Sequence, residues 1–325
     1  MKEKESLPSY NESIEQDQPP PPVGSQPLYF SNLSPQGWSF VINNAFFGGR
    51  YTIFVSKDAS DKWNVFKKNN TPEVKDLQAQ GYGIPLLKGI CPLNPFTTKF
   101  LTFKRYLPTA DHPFDVEKDH YEFCVVNVNQ HFGYKTFIFH FRPDPEQRKL
   151  DFELMVFMHS GLPIVDYIYK GEKHRWIDET AGHGFRMQWQ VKFGFKHCVL
   201  SENQPSLTDN WDGVNHKLNK SPNPLIEGTI ATLFSMSSRW SSRFPKNEYY
   251  GEGRGVFGEA EPFFKLGHAE LNVDDIYNQS ASVDYESIFS VNQDVLVDVC
   301  VATVLKRQRD IDEESRHHSS SGGGP

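Results

Sequence analysis

The stretch SVNQDVLVDVCVATVLKRQR, residues 290–309, decides the fold because here apolar residues stop alternating with polar ones. Between Val295 and Leu305 only Asp298 and Thr303 interrupt the apolar run. Crossing a bilayer takes about 20 apolar residues, so a run this short predicts a segment that is buried inside protein.

Two secondary structures compete for this stretch. The valines at positions 295, 297, 299 and 301 are β-branched and repeat every second residue, which favours a strand. The ends favour a helix. Ser290 followed by Gln293 matches a capping box at the N-terminal end. At the other end, basic residues lie near the C-terminus, where the helix dipole is negative: Lys306, Arg307 and Arg309. A helix that is apolar all round is a buried helix. We predict a buried helix and keep the strand as the open alternative.

Composition limits the class of protein. Aromatic residues make up 14% of the 325-residue chain, which supplies a large core, and the formal net charge of -7 argues against binding nucleic acid through its phosphates. Cys91, Cys124, Cys198 and Cys300 stand singly in apolar segments, as buried free thiols do. The histidines form no H-E-x-x-H motif and no Cys/His quartet, so neither a metal nor a cofactor is expected.

Three regions differ in composition. Residues 1–27 hold almost no core-forming side chains and include Pro19–Pro22, which predicts a disordered Pro-rich tail. Residues 28–309 are predicted to form a single β-barrel domain with polar loop insertions, and residues 310–325, with the run SSSGGGP, a second disordered tail. The charged start lacks an apolar leader, which predicts a cytoplasmic protein, with peripheral membrane association left open.

Short alternating segments fill the middle of the chain. They predict strands at 51–55, 84–90, 100–107, 121–128, 136–141, 152–158, 164–177, 187–196, 230–236 and 262–271. Residues 57–62 read as a hairpin loop before a further strand at 63–67, and no amphipathic helix of normal length is expected before residue 284. The fold class predicted is all-β, an antiparallel meander that closes into a barrel around the buried C-terminal helix.

A long antiparallel meander that ends in an apolar helix resembles the tubby-like C-terminal fold, which tubby proteins, phospholipid scramblases and the LURP-one-related family share. The resemblance rests on Val295–Leu305 and on the strand pattern between Tyr51 and Val199, so it covers most of the chain as architecture. It implies a barrel that encloses the C-terminal helix. The loops between strands are longer than a minimal barrel needs, which leaves the strand count open.

The N-terminal tail carries one motif. Leu7, Pro8 and Tyr10 form L-P-x-Y, a variant of the P-P-x-Y ligand that WW domains bind as a polyproline helix. Some scramblases also have a Pro-rich tail with such motifs, so the resemblance points the same way. The expected partner is a WW-domain protein such as a ubiquitin ligase, and chance occurrence in a polar tail is the alternative.

Basic residues cluster locally despite the acidic total. Lys104 and Arg105, together with Lys173 and Arg175, could converge on a phosphate-bearing headgroup, because each pair adjoins an aromatic residue. Resemblance to tubby proteins, which bind phosphoinositides through basic barrel residues, implies the same ligand, an anionic membrane lipid. Solvated surface charge is the competing interpretation.

Taken together, these patterns predict a non-enzymatic adaptor or lipid-associated protein that is tethered by its tail to a WW-domain partner. Ser160 follows His159 but lies in no G-x-S-x-G motif, so hydrolase chemistry has no support and no catalytic residue is assigned. The alternative is an enzyme, or a binder of a small apolar ligand, that uses an aromatic-lined barrel mouth.

Overall fold

The computed structural model describes most of the chain. The described residues are 38–44, 50–69, 71–92, 97–108, 111–162, 164–178, 193–200, 205–222, 253–257, 263–266 and 287–321.

Most of the stretch 290–309 lies in a helix, α3, which spans Gln293–Ser321. Asn292 begins it, because its side-chain oxygen accepts the Val295 N–H at 2.9 Å and its carbonyl accepts the Leu296 N–H at 3.1 Å. Ser290, the predicted cap, lies instead in a short 3-10 turn, Ile288–Ser290. A helix satisfies its backbone internally, so the alternating valines can be buried without neighbouring strands.

Helix α3 continues past Arg309 to Ser321, so residues 310–321 are helical where a disordered tail was predicted. Side-chain bonds one turn apart support this extension. Lys306 Nζ donates to Asp310 at 3.0 Å, and the Gln308 amide donates to Asp312 at 2.7 Å. Low apolar content does not end a helix that is already nucleated, because each added residue then gains a hydrogen bond without a new nucleation cost.

Nine consecutive strands form an antiparallel meander. They are β2 (Arg50–Phe54), β3 (Leu87–Ile90), β4 (Lys99–Tyr106), β5 (His120–His131), β6 (Tyr134–Phe141), β7 (Phe152–His159), β8 (Ile164–Tyr169), β9 (Glu172–Asp178) and β10 (Phe193–Val199). Each strand pairs with the next along the chain. The predicted segment 164–177 is two strands joined by a tight turn.

Three further strands pair with the two ends of this meander. They are β1 (Trp38–Asn44), β11 (Gly253–Phe257) and β12 (Phe263–Leu266). Strand β1 pairs with β2 and β12, and β11 pairs with β10 and β12, all antiparallel.

Two helices lie between β2 and β3, where a hairpin loop and a strand were predicted. They are α1, Lys57–Phe66, and α2, Pro72–Ala79. Ser56 caps α1 by accepting the Ala59 N–H at 3.0 Å, and Thr71 caps α2 by accepting the Val74 N–H at 3.4 Å. The strand prediction was wrong because the pattern was read with a period of two, whereas the buried side chains of α1 follow the helical period.

The sheet has two covered faces. The inner face packs against α3 and forms the main core, to which Phe137, Phe139 and Phe152 belong. On the outer face, Ile138, Phe157 and Ile177 form a second, smaller core with Leu207 and other residues of the segment 205–222. We call this segment the outer cover. The outer side of these strands is therefore partly buried, which explains its mixed composition.

The prediction of a mainly β, antiparallel fold with a C-terminal helix is confirmed. Closure of the sheet into a barrel around that helix stays a prediction. The predicted free thiols are confirmed for Cys91, Cys124 and Cys300, which are buried. The strand predicted at 230–236, and residues 187–192 of the one predicted at 187–196, lie outside the described residues.

Candidate functional site

Buried polar side chains concentrate on the hairpin of β8 and β9. Its two-residue turn is Lys170–Gly171, with positive φ angles of 52° and 80°, as the twist of a tight hairpin requires. The register places Tyr167 opposite His174 and Asp166 opposite Arg175. Since neighbouring residues of a strand point to opposite faces, the first pair faces α3 and the second faces the outer cover. The hairpin thus carries a different polar cluster on each face.

The inner cluster is centred on the Tyr167 hydroxyl. This hydroxyl donates to Asp298 Oδ1 of α3 at 2.9 Å and lies 3.3 Å from both Trp176 Nε1 and His197 Nε2. His197 Nε2 is in turn 3.1 Å from His174 Nδ1. The rings stack in parallel, with centroids 4.9 Å apart for Tyr167 and His174 and 4.6 Å for Trp176 and His197. The cluster ties three strands to the central helix.

Burial favours the neutral form of the titratable members of the inner cluster. It lowers the pKa of His174 to about 3 and holds that of His197 well below its ordinary value, with His174 adding to the shift. Burial also raises the pKa of Asp298 well above the ordinary carboxyl value. Burial thus favours the neutral form of each group, and an imidazole with a pKa of about 3 is a weak proton acceptor. We therefore interpret this cluster as a structural network and not as a catalytic one.

A second polar group lies where α3 begins. Tyr169 donates its hydroxyl hydrogen to Asp294 Oδ1 at 2.8 Å, and Lys170 Nζ contacts both oxygens of the same carboxylate at 2.8 Å. Glu172 is close by, and burial raises its pKa to about 7, opposed by Lys170 and assisted by Asp294. A carboxyl that titrates near neutral pH is typical of general acids and bases, but structural ion pairs produce it as well.

The outer cluster is built on a buried ion pair. Arg175 donates from Nε and Nη2 to the two oxygens of Asp166 at 2.7 Å each, and the exposed fractions of the two side chains are 3% and 0%. Asp166 also accepts the Ser206 hydroxyl at 3.0 Å and the Leu207 N–H at 2.8 Å. Arg175 further donates to the Pro205 carbonyl at 2.9 Å. The pair therefore fastens the outer cover to the sheet.

The residues predicted to bind a headgroup have other contacts. Arg175 is held by Asp166, and Lys173 donates to Asp209 Oδ1 at 2.6 Å. On β4, Lys104 Nζ lies 3.4 Å from His120 Nε2, and the Arg105 guanidinium lies 5.8 Å from the Phe123 ring centre. In the sheet, β5–β8 separate the strands that carry the two pairs. The structure does not bring the four together, and Arg175 is committed to an internal partner.

The ion pair could have been found in the sequence. A two-residue turn at Lys170–Gly171 places every residue pair whose numbers sum to 341 opposite one another, which includes Asp166 with Arg175. Lys-Gly is a weak turn signal, so the strand was read as continuous. The contacts of Asp298 and Asp294 with β8 gave no such signal, because they join positions more than a hundred residues apart in sequence.

The WW-ligand motif, formed by Leu7, Pro8 and Tyr10, lies outside the described residues. Within the described part of the chain, no group of three or more His, Cys, Asp or Glu side chains is arranged to hold a metal ion. Among the same residues, no helix is both long and apolar enough to span a membrane.

Fold and clusters together define a class: mainly β proteins in which an antiparallel sheet packs around a buried C-terminal helix. The chain belongs to the DIA1 family, whose family model matches residues 35–315. That match includes every strand and helix described above except the last turns of α3. Neither a curated protein nor a solved structure matches the chain.

This match corrects the tubby-like resemblance, because the family found is DIA1 and not a tubby or scramblase family. The resemblance rested on architecture alone, a meander followed by an apolar helix. Unrelated sequences can fold into the same architecture, since the apolar concave face of a curved sheet must be covered by another apolar element. The phosphoinositide site that the resemblance implied loses that support.

Proposed function

We propose that this chain is a non-enzymatic binding protein. The interior of its folded part is filled by its own C-terminal helix, and its N-terminal tail carries the ligand for a WW domain. One observation carries the proposal. Each residue from Val295 to Leu305 is at most 1% exposed, so α3 is covered at every angle around its axis. The space inside the sheet that would take a substrate is occupied by the protein's own helix.

Contacts of α3 with distant strands support this interpretation. Tyr51 of β2 donates its hydroxyl hydrogen to Asp310 at 2.7 Å, and Tyr167 of β8 donates to Asp298 at 2.9 Å. The free thiol of Cys124 on β5 is within hydrogen-bonding reach of the free thiol of Cys300. The sheet therefore curves around the helix. We further infer that it closes into a barrel, for which the pairing of β1 with both β2 and β12 is the support.

The competing function, an enzyme or an apolar-ligand binder with an aromatic-lined mouth, has less support. The rings it would use pack against one another, as Phe141 and Phe152 do with centroids 4.8 Å apart. The inner polar cluster is neutral and bonded to α3. Among the described residues, Glu172 has a pKa of about 7, a value that general acid–base chemistry could use, but its neighbours are the ion pair that holds the helix.

The tail suits a tethering role. Leu7, Pro8 and Tyr10 stand before the first residue of the family match, so a partner can bind them without opening the sheet. Pro8 reduces the conformational entropy that an extended peptide loses on docking, and the Tyr10 side chain is the one that a WW groove reads.

The test is capture of the full chain by an array of purified WW domains. Tyr10→Ala should abolish capture and leave the melting temperature unchanged, because it removes the recognised ring without touching the folded part. Tyr29→Ala is the matched control, since it removes a second N-terminal tyrosine outside the motif. Equal recovery of wild type and Tyr10→Ala, or recovery of neither, would refute the tethering role.

A further inference from the structure

A group of basic side chains lies on the outer surface where β3 and β4 meet α1. The register places Lys88 directly opposite Lys104, although like charges at such positions repel. Lys67 joins them from the end of α1, and its Nζ lies 4.7 Å from the centre of the Trp63 ring. Lys88 Nζ lies between two rings, 5.9 Å from Trp63 and 5.2 Å from Tyr106. The ammonium groups of Lys67 and Lys88 therefore lie against aromatic rings, and Lys104 adjoins Lys88 across the pairing of β3 with β4.

The charges in this group are poorly compensated. The Lys88 side chain is 20% exposed, and among the described residues its ammonium contacts one carboxylate, Glu117 at 3.9 Å, a side chain that is 78% exposed. It also donates to the Val116 carbonyl at a long 3.5 Å. Burial lowers the pKa of Lys88, which Glu117 opposes, while Lys67, Lys104 and Arg50 lower it further. An exposed partner at that distance contributes little, so the protein holds a half-buried cation among other cations at a cost.

Nearby acids are engaged elsewhere or point outward. In the loop after β4, Asp119 accepts the Asp115 N–H at 2.6 Å and lies 3.3 Å from His112 Nε2. Glu122 stands opposite Lys104 on β5 and is exposed, and the contact of the Lys104 ammonium is with the His120 ring at 3.4 Å. Lys67, Lys88 and Lys104 therefore form a local group of positive charge, with exposed carboxylates beside it, in a chain whose net charge is -7.

A neutral donor completes the group. The Tyr106 side chain is 1% exposed, and its hydroxyl has no hydrogen-bond partner among the described residues. Its pKa is raised first by burial and then by Glu117, which places the hydroxyl within the field of the same carboxylate that contacts Lys88. A buried hydroxyl without a partner is costly, and an oxyanion beside Lys88 would accept its hydrogen.

We propose that Lys67, Lys88 and Lys104 bind a phosphate group, with the Tyr106 hydroxyl as a further donor. Phosphate is the chemistry that fits, because a dianion with several acceptor oxygens compensates more than one ammonium, whereas a carboxylate would leave the group positive. The phosphate belongs either to a soluble phosphomonoester or to a phosphorylated lipid headgroup. This site shares only Lys104 with the four residues predicted from the sequence, and it is independent of the tail.

The experiment titrates the full chain with inorganic phosphate and with glycerol phosphate by calorimetry, and sediments it with phosphatidylcholine vesicles with or without phosphatidic acid. Binding in solution identifies a soluble ligand, and retention by phosphatidic acid vesicles alone identifies a lipid headgroup. In whichever arm binds, Lys88→Gln and Lys104→Gln should each weaken binding at least tenfold. Lys149→Gln is the charge-matched control on an exposed turn, and it should change binding less than twofold.

A second readout separates the site from general attraction of anions. Without phosphate, Lys88→Gln should melt at the same temperature as wild type or higher, because it relieves repulsion from Lys67 and Lys104. The rise in melting temperature that the bound phosphate gives the wild type should be lost in this variant. Absence of binding in every arm, or an equal loss in Lys149→Gln, would overturn the proposal.

Discussion

The two faces of the β8–β9 hairpin both bury polar groups, but one face buries an ion pair and the other buries groups whose neutral form is favoured. On the outer face, Asp166 and Arg175 form an ion pair with side chains at most 3% exposed. On the inner face, burial lowers the pKa of His174 on β9 to about 3 and raises that of Asp298 on α3 well above its ordinary value, which favours the neutral form of both groups. Burial is nearly the same on both faces. Burial alone therefore does not decide whether a group keeps its charge.

The number of donors explains the difference. Asp166 accepts two bonds from Arg175, one from the Ser206 hydroxyl and one from the Leu207 N–H. These donors include a full positive charge, which offsets the cost of desolvating the carboxylate. Asp298 accepts the neutral Tyr167 hydroxyl, and burial raises its pKa well above the ordinary carboxyl value. The buried Asp166 carboxylate is thus matched by an opposite charge and by a backbone donor.

The largest expected effect comes from replacing Asp166 with asparagine. Asp166→Asn leaves the Arg175 charge buried without its counterion, so we expect a loss of roughly 3 to 5 kcal/mol in the free energy of unfolding. Asp298→Asn is the matched control, because burial favours the neutral form of Asp298, and an amide of the same shape still accepts the Tyr167 hydroxyl hydrogen. Its expected cost is less than about 1 kcal/mol. Urea unfolding of both variants measures the two losses.

Similar losses for the two variants would break the comparison, since they would mean that Asp298 is also charged in the folded protein. A larger loss at Asp298 than at Asp166 would reverse it. Circular dichroism at low urea serves as the check that each variant starts from a folded state.

A smaller effect is expected in the pH dependence of stability. Folding raises the pKa of Glu172 from about 4.5 to about 7, so the folded state holds a proton that the unfolded state has released between these values. The resulting stability is fully present below about pH 4.5 and is lost as pH rises to about 7. The side chain is partly exposed, so we expect roughly 1 to 2 kcal/mol.

Glu172→Gln removes this titration because the amide carries no proton to lose. The variant should therefore be more stable than wild type at pH 8 and similar to it at pH 4.5. Urea midpoints at the two values provide the measurement. A wild-type advantage at pH 8 would show that the Glu172 carboxylate stabilises the folded state, contrary to the raised pKa.

The sequence predicted the main features that follow from patterns within one segment. Alternation located most strands from β2 to β9, and an apolar run with polar ends located the buried helix. These succeed because residues facing the same core repeat with the period of their own element. Helix α1 was missed because residues 57–62 were interpreted as a hairpin loop and 63–67 as a strand, and no element was predicted where α2 lies.

Features that depend on pairing between segments could not be read in this way. Arg175 looks like any surface arginine until the turn at Lys170–Gly171 sets Asp166 against it. The Lys88 group assembles from α1, β3 and β4, so its positive field exists only after the sheet has formed. The family could not be predicted either, because proteins of different families share the same architecture.

The central claim is that α3 is enclosed by the sheet, and native-state hydrogen exchange of the amides from Val295 to Leu305 tests it most directly. An enclosed helix cannot open unless the sheet unfolds, so every amide in this run should exchange with the free energy of global unfolding measured in urea. A helix covered on one face only would instead open locally. Exchange of these amides several kcal/mol more readily than those of β5 and β6 would contradict the account.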